Sequence, residues 1–462
     1  MNVTRRLSEM VAETRITDVP ELALQRATVA VMDFFACAVV GSLQVTGKTI
    51  VGFVRDLGSQ GRSTVIASDL ELAPPDAALA NGTLGHAIDY DDVTFRMIGH
   101  PGVTILPAIL GLAEATDATT QDVLLAYVVG YETANKLGSI LNVGHSDIGW
   151  HPTGTLGALG AAAGAAKILG LNVEQAERAF GMAGSMAAGI RQNFGTDTKP
   201  FHAGRAAQNG TVAAMLAQRG FTADHDIFEG KWGFFHLFSG PSGCDPTSLL
   251  KHLADPWEIV DPGFATKVYP SCASTHTGID SMLRVVNDHD VQPDEVESID
   301  IGVVHITPKF LIHNDPHTGL EGKFSMQYCL SRALLDRSIR IPHFTDSAVQ
   351  DPRVRSLMRK VNMYVDPAVN DGWRSDKPRP VILSLTLKDG RKLRQRIDFP
   401  TGSAENPVGV DRIEEKYRDC VGMVFDQNRV DETLQMFRLM SKVDIPISEL
   451  TRMFKPAALQ PA

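Results

Sequence analysis

The sequence predicts a mainly α protein, an all-helical bundle domain that carries a smaller inserted α+β domain as a lid. Three observations predict it. Apolar residues recur at helical spacing through most of the first 220 positions. Glycines 154, 157, 160 and 164, with alanines between them, mark a helix packed very closely on its neighbours. Near Lys267 the pattern changes: 296–304 alternates like a strand, and the runs 381–387 and 392–397 flank Asp389-Gly390, a strong hairpin signal.

Residues 19–41 read as an amphipathic, then nearly all-apolar helix, with Pro20 near its start and Gly41 as its stop. A second helix is expected at 47–55 and a short strand at 64–67. The next helix, 75–90, passes through His86 into the acidic run Asp89-Tyr-Asp-Asp92. Helices at 103–115 and 120–141 follow, the latter with a cap region at Thr120-Gln-Asp. Two apolar runs then reach 171 and 190, and a further helix is expected at 203–220. Beyond the change of pattern, helices are expected at 272–288 and 324–335, and again within 406–454. The expected division is 1–266 for the helical domain, 267–404 for the lid, and 405–462 for helices returning to the first domain.

At 462 residues the chain can build two sizeable cores, and 44% hydrophobic with 21% charged residues is ordinary for a globular protein. The net charge of -10 is no nucleic-acid footprint, and no Lys/Arg cluster suggests a membrane surface. Five scattered cysteines without a C-x-x-C pair fit reduced thiols in a cytoplasmic protein. No long apolar signal segment is visible at the start, and the most apolar early run, 28–40, holds Asp33 and is too short to span a bilayer.

His100, His151 and Lys199 each stand immediately before a proline that opens a helical run. Free N–H groups and the macrodipole favour anions at such ends. If the bundle gathers them, the result is an anion pocket with two proton-transfer groups and a fixed cation. The stretch Lys267-Val-Tyr-Pro-Ser-Cys-Ala-Ser-Thr-His276 is similar in kind and falls at the domain junction. Each feature has a plainer reading. A lone histidine at a helix start is more often a cap or a packing residue. The glycine run lacks both the preceding strand and the G-x-G-x-x-G spacing of a dinucleotide site. Asp89, Asp91 and Asp92 could hold a metal, with Asp89 and Asp92 on one face if the helix continues, but a solvated cap is commoner. The pair His313 and His317 has no partner set of the right kind.

Taken together, these stretches resemble the MmgE/PrpD family: Gly85-His-Ala-Ile-Asp-Tyr-Asp-Asp92, Gly99-His-Pro101, Gly149-Trp-His-Pro-Thr153, Thr198-Lys-Pro-Phe-His-Ala-Gly204, Lys267-Val-Tyr-Pro-Ser-Cys272 with His276, and Lys323-Phe-Ser-Met-Gln-Tyr328. The resemblance covers nearly the whole chain. It implies a helical domain with a smaller α+β lid, a homodimer, and neither metal nor organic cofactor. It implies catalytic roles for Asp89, His100, His151, Lys199 and Tyr328, and substrate contacts from His276, Lys267, His202 and Thr94, the last standing for the family's threonine after the acidic cluster. The expected function is therefore a cofactor-independent lyase or isomerase that transfers protons at carbon next to a carboxylate of a small di- or tricarboxylate. A cis-aconitate decarboxylase-like reaction heads the expectations, with iminodisuccinate epimerase-like and 2-methylcitrate dehydratase-like reactions as alternatives. The rival from another class is a carboxylate-binding protein without turnover, which would have little use for three histidines and an aspartate in one pocket.

Overall fold

The computed structural model describes residues 2–142, 144–241 and 243–456. Helices dominate, as expected, and strands are few. The helical part contains α1 (Val3–Glu13), α2 (Glu21–Gly41), α3 (Val45–Leu57), α4 (Pro74–His86), α5 (Gly102–Ala115), α6 (Thr120–Leu141), α7 (Pro152–Ile168), α8 (Val173–Met186) and α9 (Thr198–Gln218). Thr119 caps α6 through a capping box with Asp122, the signal expected one residue away. α2 is long and apolar enough to cross a membrane, but it lies mostly buried in the core, where Asp33 meets the Lys416 ammonium at 2.6 Å.

Small residues let these helices touch backbone to backbone. A Cβ added to Gly204 of α9 would lie 2.2 Å from the Leu79 carbonyl oxygen of α4, and one on Gly154 of α7 would lie 2.2 Å from the Ala188 carbonyl. No side chain fits at either point, so the glycines set the spacing. The α4–α9 crossing brings the end of α4, at His86, against the start of α9, at Lys199.

The second part is built on a mixed sheet of β1 (Val296–Val303), β2 (Val361–Val365), β3 (Val381–Leu387) and β4 (Lys392–Ile397), in the order β2-β1-β3-β4. β1 runs parallel to β2 and antiparallel to β3, which pairs with β4 through the expected hairpin. Helices α10 (Ala273–His289) and α11 (Met326–Asp336) belong to the core of this part. Ile98 and Phe194 come from the helical part yet bury themselves in this second core. α12 (Val410–Val421) and α13 (Gln427–Leu439) instead bury Ile413, Tyr417, Leu434 and Phe437 in the first core, with α2.

Several expectations are corrected. α4 ends at His86, not at Tyr90, because Asp89 adopts a left-handed backbone with φ of 53°. The acidic run is therefore a loop, and Asp89 and Asp92 do not share a helix face. The strand expected at 64–67 is the two-residue Ser63–Thr64, paired with Glu71–Leu72. α9 starts at Thr198, so Lys199 lies inside its first turn rather than ahead of it. β2 has no counterpart in the sequence reading.

Candidate active site

The site forms where the two cores meet, and an aspartate at its centre ties it together. The left-handed turn after α4 points the Asp89 carboxylate inward. Its Oδ2 accepts a hydrogen bond of 2.9 Å from the Lys199 ammonium, and its Oδ1 accepts one from Lys267. Lys267 also donates to the Asp89 carbonyl at 2.8 Å, clamping the turn. Burial opposes ionisation of Asp89, but the two ammonium groups overcome it and hold its carboxyl well below the usual range.

Two imidazoles hang from the same loop. His86 Nδ1 lies 2.9 Å from Asp91 Oδ1 and His86 Nε2 lies 2.6 Å from Lys199 Nζ. A carboxylate only accepts and an ammonium only donates, so the proton of His86 is on Nδ1 and its Nε2 lone pair receives Lys199. Burial, against the attraction of Asp91, pulls His86 down to about 3 and keeps it neutral. Lys199 thus has one proton on His86, one on Asp89 and a third for the pocket. His100 Nδ1 donates to the Asp92 carbonyl at 2.9 Å, which places its lone pair on Nε2, 3.8 Å from Asp89 Oδ1. Burial lowers His100 as well. Asp92, raised well above the usual range by burial and by Asp91 and Asp33, accepts from Gly102 N–H at 3.1 Å.

His151 occupies the cap position of α7, but its ring makes no capping hydrogen bond. Its Nδ1 instead meets His202 Nδ1 at 3.1 Å, and its ring stands edge-on to Phe194 at 4.9 Å. Burial first, then Lys199 and three neighbouring imidazoles, hold His151 well below its ordinary value, and His202 is pulled down to about 4.

Asp89, Thr94, His100, His151 and Lys199 line one small pocket. Lys267 and His202 stand behind them, bonded to Asp89 and His151. His276 and Tyr328 are not brought to the pocket wall. His276 Nε2 faces the Ser271 carbonyl at 3.3 Å, and the Tyr328 hydroxyl donates to the His343 carbonyl while its ring packs on Phe344. Tyr328, expected to be catalytic, thus has its hydroxyl bonded to a backbone carbonyl outside the pocket lining. Sequence reasoning missed His86 and Arg379, gave Asp91 only as a metal candidate, and left Lys323 without a role. Lys323 donates to the Ala87 carbonyl at 3.0 Å, and burial, against Asp89, brings it down to about 8. Nothing in residue spacing marks His86 or Arg379, because tertiary packing alone brings them in.

His86, Asp89, Asp91 and His100 have ligand atoms within 4.8 Å of one another, as a metal site would. The donors do not fit one. Both Asp89 oxygens hold ammonium protons, and Lys199 occupies the His86 Nε2 lone pair, so a cation there already fills the place of the ion's charge.

The buried imidazoles make stability depend on pH. His86, His145, His202 and His276 are lowered to between about 3 and 4. Below about 6.5 the unfolded chain binds protons at these positions and the folded chain does not, so stability is present above that pH and falls as pH drops. The melting temperature should therefore decline steadily from pH 7 to pH 5. Glu132, pushed up to about 7 by burial, acts in the opposite sense but is one group against four. A profile that rises toward pH 5 would mean that the imidazoles are not held neutral in the fold.

Residues 5–247 match the MmgE/PrpD N-terminal domain, and residues 269–442 match the MmgE/PrpD C-terminal domain. The chain belongs to the MmgE/PrpD family. Among the relatives of this MmgE/PrpD protein, mouse cis-aconitate decarboxylase is 28% identical, over 99% of this chain and 94% of the relative. The human cis-aconitate decarboxylase is 27% identical, over 98% and 95%. The 2-methylcitrate dehydratase of Escherichia coli K12 is 20% identical, over 90% and 88%. The chain is an enzyme of the MmgE/PrpD type.

Proposed function

We propose that this enzyme is a cofactor-independent lyase for a small di- or tricarboxylate, working most like a cis-aconitate decarboxylase. One observation carries the reading. Four buried cations stand at this site: Lys199 and Lys267 hold the ionised Asp89, Lys323 lies behind it, and Arg379 lines the pocket beside a set of neutral imidazoles. Such a pocket attracts polyanions and stabilises charge that develops on them. The full-length similarity to decarboxylases, against lower identity to the dehydratase, supports the same choice.

In the decarboxylation of an unsaturated tricarboxylate, the bond to the departing CO2 breaks and its electron pair forms a new double bond. The original double bond shifts, leaving a dienolate whose charge rests on a carboxylate. Lys199 stabilises that charge with its free proton. One proton is then placed on carbon, so each turnover consumes one proton. His151 and His100 are the groups that move it. Asp89, held ionised by two ammonium groups, is a weak base and acts by fixing Lys199 and Lys267. The same reading includes a homodimer in the cytoplasm, and the free cysteines are consistent with a reducing compartment.

The test is a panel of cis-aconitate, iminodisuccinate and 2-methylcitrate in D2O, followed by NMR. The expected result is CO2 release from cis-aconitate with one deuterium entering the product. Deuterium exchange without loss of CO2 would favour an epimerase, loss of water a dehydratase, and no exchange a binding protein. Chelator should leave turnover unchanged. Loss of activity restored by one divalent ion would return the Asp89, Asp91 and Asp92 group to the role of metal ligands.

A further inference from the structure

Arg379 is the anomaly of the pocket. It is 6% exposed, lines the same cavity as Lys199, and has no carboxylate partner among the described residues. Its Nη1 donates to Ser274 Oγ at 2.9 Å, while its Nε is buried without any hydrogen-bond partner. Its guanidinium is flanked by Phe310 at 4.7 Å and Phe95 at 5.7 Å, which hold the plane but satisfy no N–H. Burial pulls it down to about 10, a mark of how poorly the protein alone compensates its charge. A buried, unpaired guanidinium destabilises a fold unless something else neutralises it. The lysines of the site have assigned partners: Lys199 and Lys267 bind Asp89, and Lys323 binds the Ala87 carbonyl. Arg191, on the same Phe310 ring, donates to the Ser146 and Lys309 carbonyls.

We propose that Arg379 is a specificity-determining residue that binds a second carboxylate of the substrate, apart from the carboxylate held at Lys199. The inference rests on the polycarboxylate reading of the pocket. A guanidinium offers a planar fork that matches a carboxylate with two parallel hydrogen bonds, and Nε with its neighbouring Nη is one edge of that fork. Ser274 fixes the other nitrogen and the two phenyl rings fix the plane, so the fork is oriented before the ligand arrives. Arg379 lies just ahead of β3 and Ser274 lies in the first turn of α10, so the second half of the chain supplies this anchor and the helical part supplies Lys199. A ligand holding both would bridge the two parts.

The experiment measures binding of butyrate, glutarate and propane-1,2,3-tricarboxylate by calorimetry to the wild-type enzyme, Arg379→Met and Arg379→Lys, with a melting temperature for each protein. The loss of affinity in Arg379→Met should grow with the number of carboxylates, reaching roughly 10–100-fold for the tricarboxylate, the range of a charge-assisted hydrogen-bonded pair. Arg379→Lys, which keeps the charge without the fork, should fall between. The ligand-free Arg379→Met protein should melt no lower than wild type, because an unpaired buried charge has been removed. An equal loss for all three acids, no loss, or a lowered melting temperature with uniform loss would overturn the assignment. If Arg379→Met does not fold, the ordering in Arg379→Lys decides by the same criterion. Turnover of the acid panel is scored separately. An enzyme that binds the tricarboxylate through Arg379 but converts no acid would overturn the lyase reading and leave Arg379 in place.

Discussion

Lys199→Ala is expected to lower turnover by about 10²–10³-fold, the usual cost of removing one preorganised donor from a developing oxyanion. Lys199 donates to His86 and Asp89, so its remaining proton is aimed by two fixed bonds rather than by chance rotation. Its ammonium also lies 5.2 Å from the Phe324 ring centre and 5.6 Å from that of Phe194, which shut it away from bulk water. Lys199→Arg should recover little. A planar fork cannot place donors on His86, Asp89 and the substrate from the point that one ammonium occupies. The fold should tolerate the loss, because Asp89 keeps Lys267. Turnover near the wild-type level in Lys199→Ala would remove Lys199 from the chemistry. A collapsed melting temperature would show that its role is structural.

What could be read in advance divides along physical lines. α6 was legible over its whole length because period, cap and length agree. The β3–β4 hairpin was legible because Asp389-Gly390 closes it and alternation sets its register. β2 was not. It lies at the edge of the sheet, its alternation is weak and half exposed, and only its parallel partner β1 makes it a strand. The start of the site was legible for a similar reason: His100, His151 and Lys199 each precede a proline, and local backbone rules act on such pairs. His86 and Arg379 follow no local rule. His86 matters because α4 and α9 cross at glycines, and Arg379 because Ser274 and two phenyl rings happen to hold it. Tyr328 shows the converse. A residue in a recognisable motif can have its polar atom bonded elsewhere, here to the His343 carbonyl.

His151→Gln is expected to fold normally and to lose roughly 10²–10⁴ in turnover, the range of a general acid–base residue. The support beneath this imidazole is stiff. His151 N–H donates to the Gly189 carbonyl at 3.0 Å, and the Gly154 backbone lies so close to Ala188 that no Cβ fits between them. A rigid mount suits proton transfer, since small displacements cost large factors in rate. The free protein holds His151 neutral by burial and by the Lys199 charge. A bound polycarboxylate brings negative charge to the same space and raises the proton affinity of the ring. His151 should therefore pick up a proton as substrate binds and release it to carbon within the cycle, with His202 Nδ1 fixing the orientation of the ring. The plainer alternative is helix capping. The ring makes no capping bond, so asparagine, a better cap, separates the two readings. His151→Asn should melt at or above the wild-type temperature and yet be as slow as His151→Gln. An active, stabilised His151→Asn enzyme would make the histidine a cap and move the proton transfer to His100.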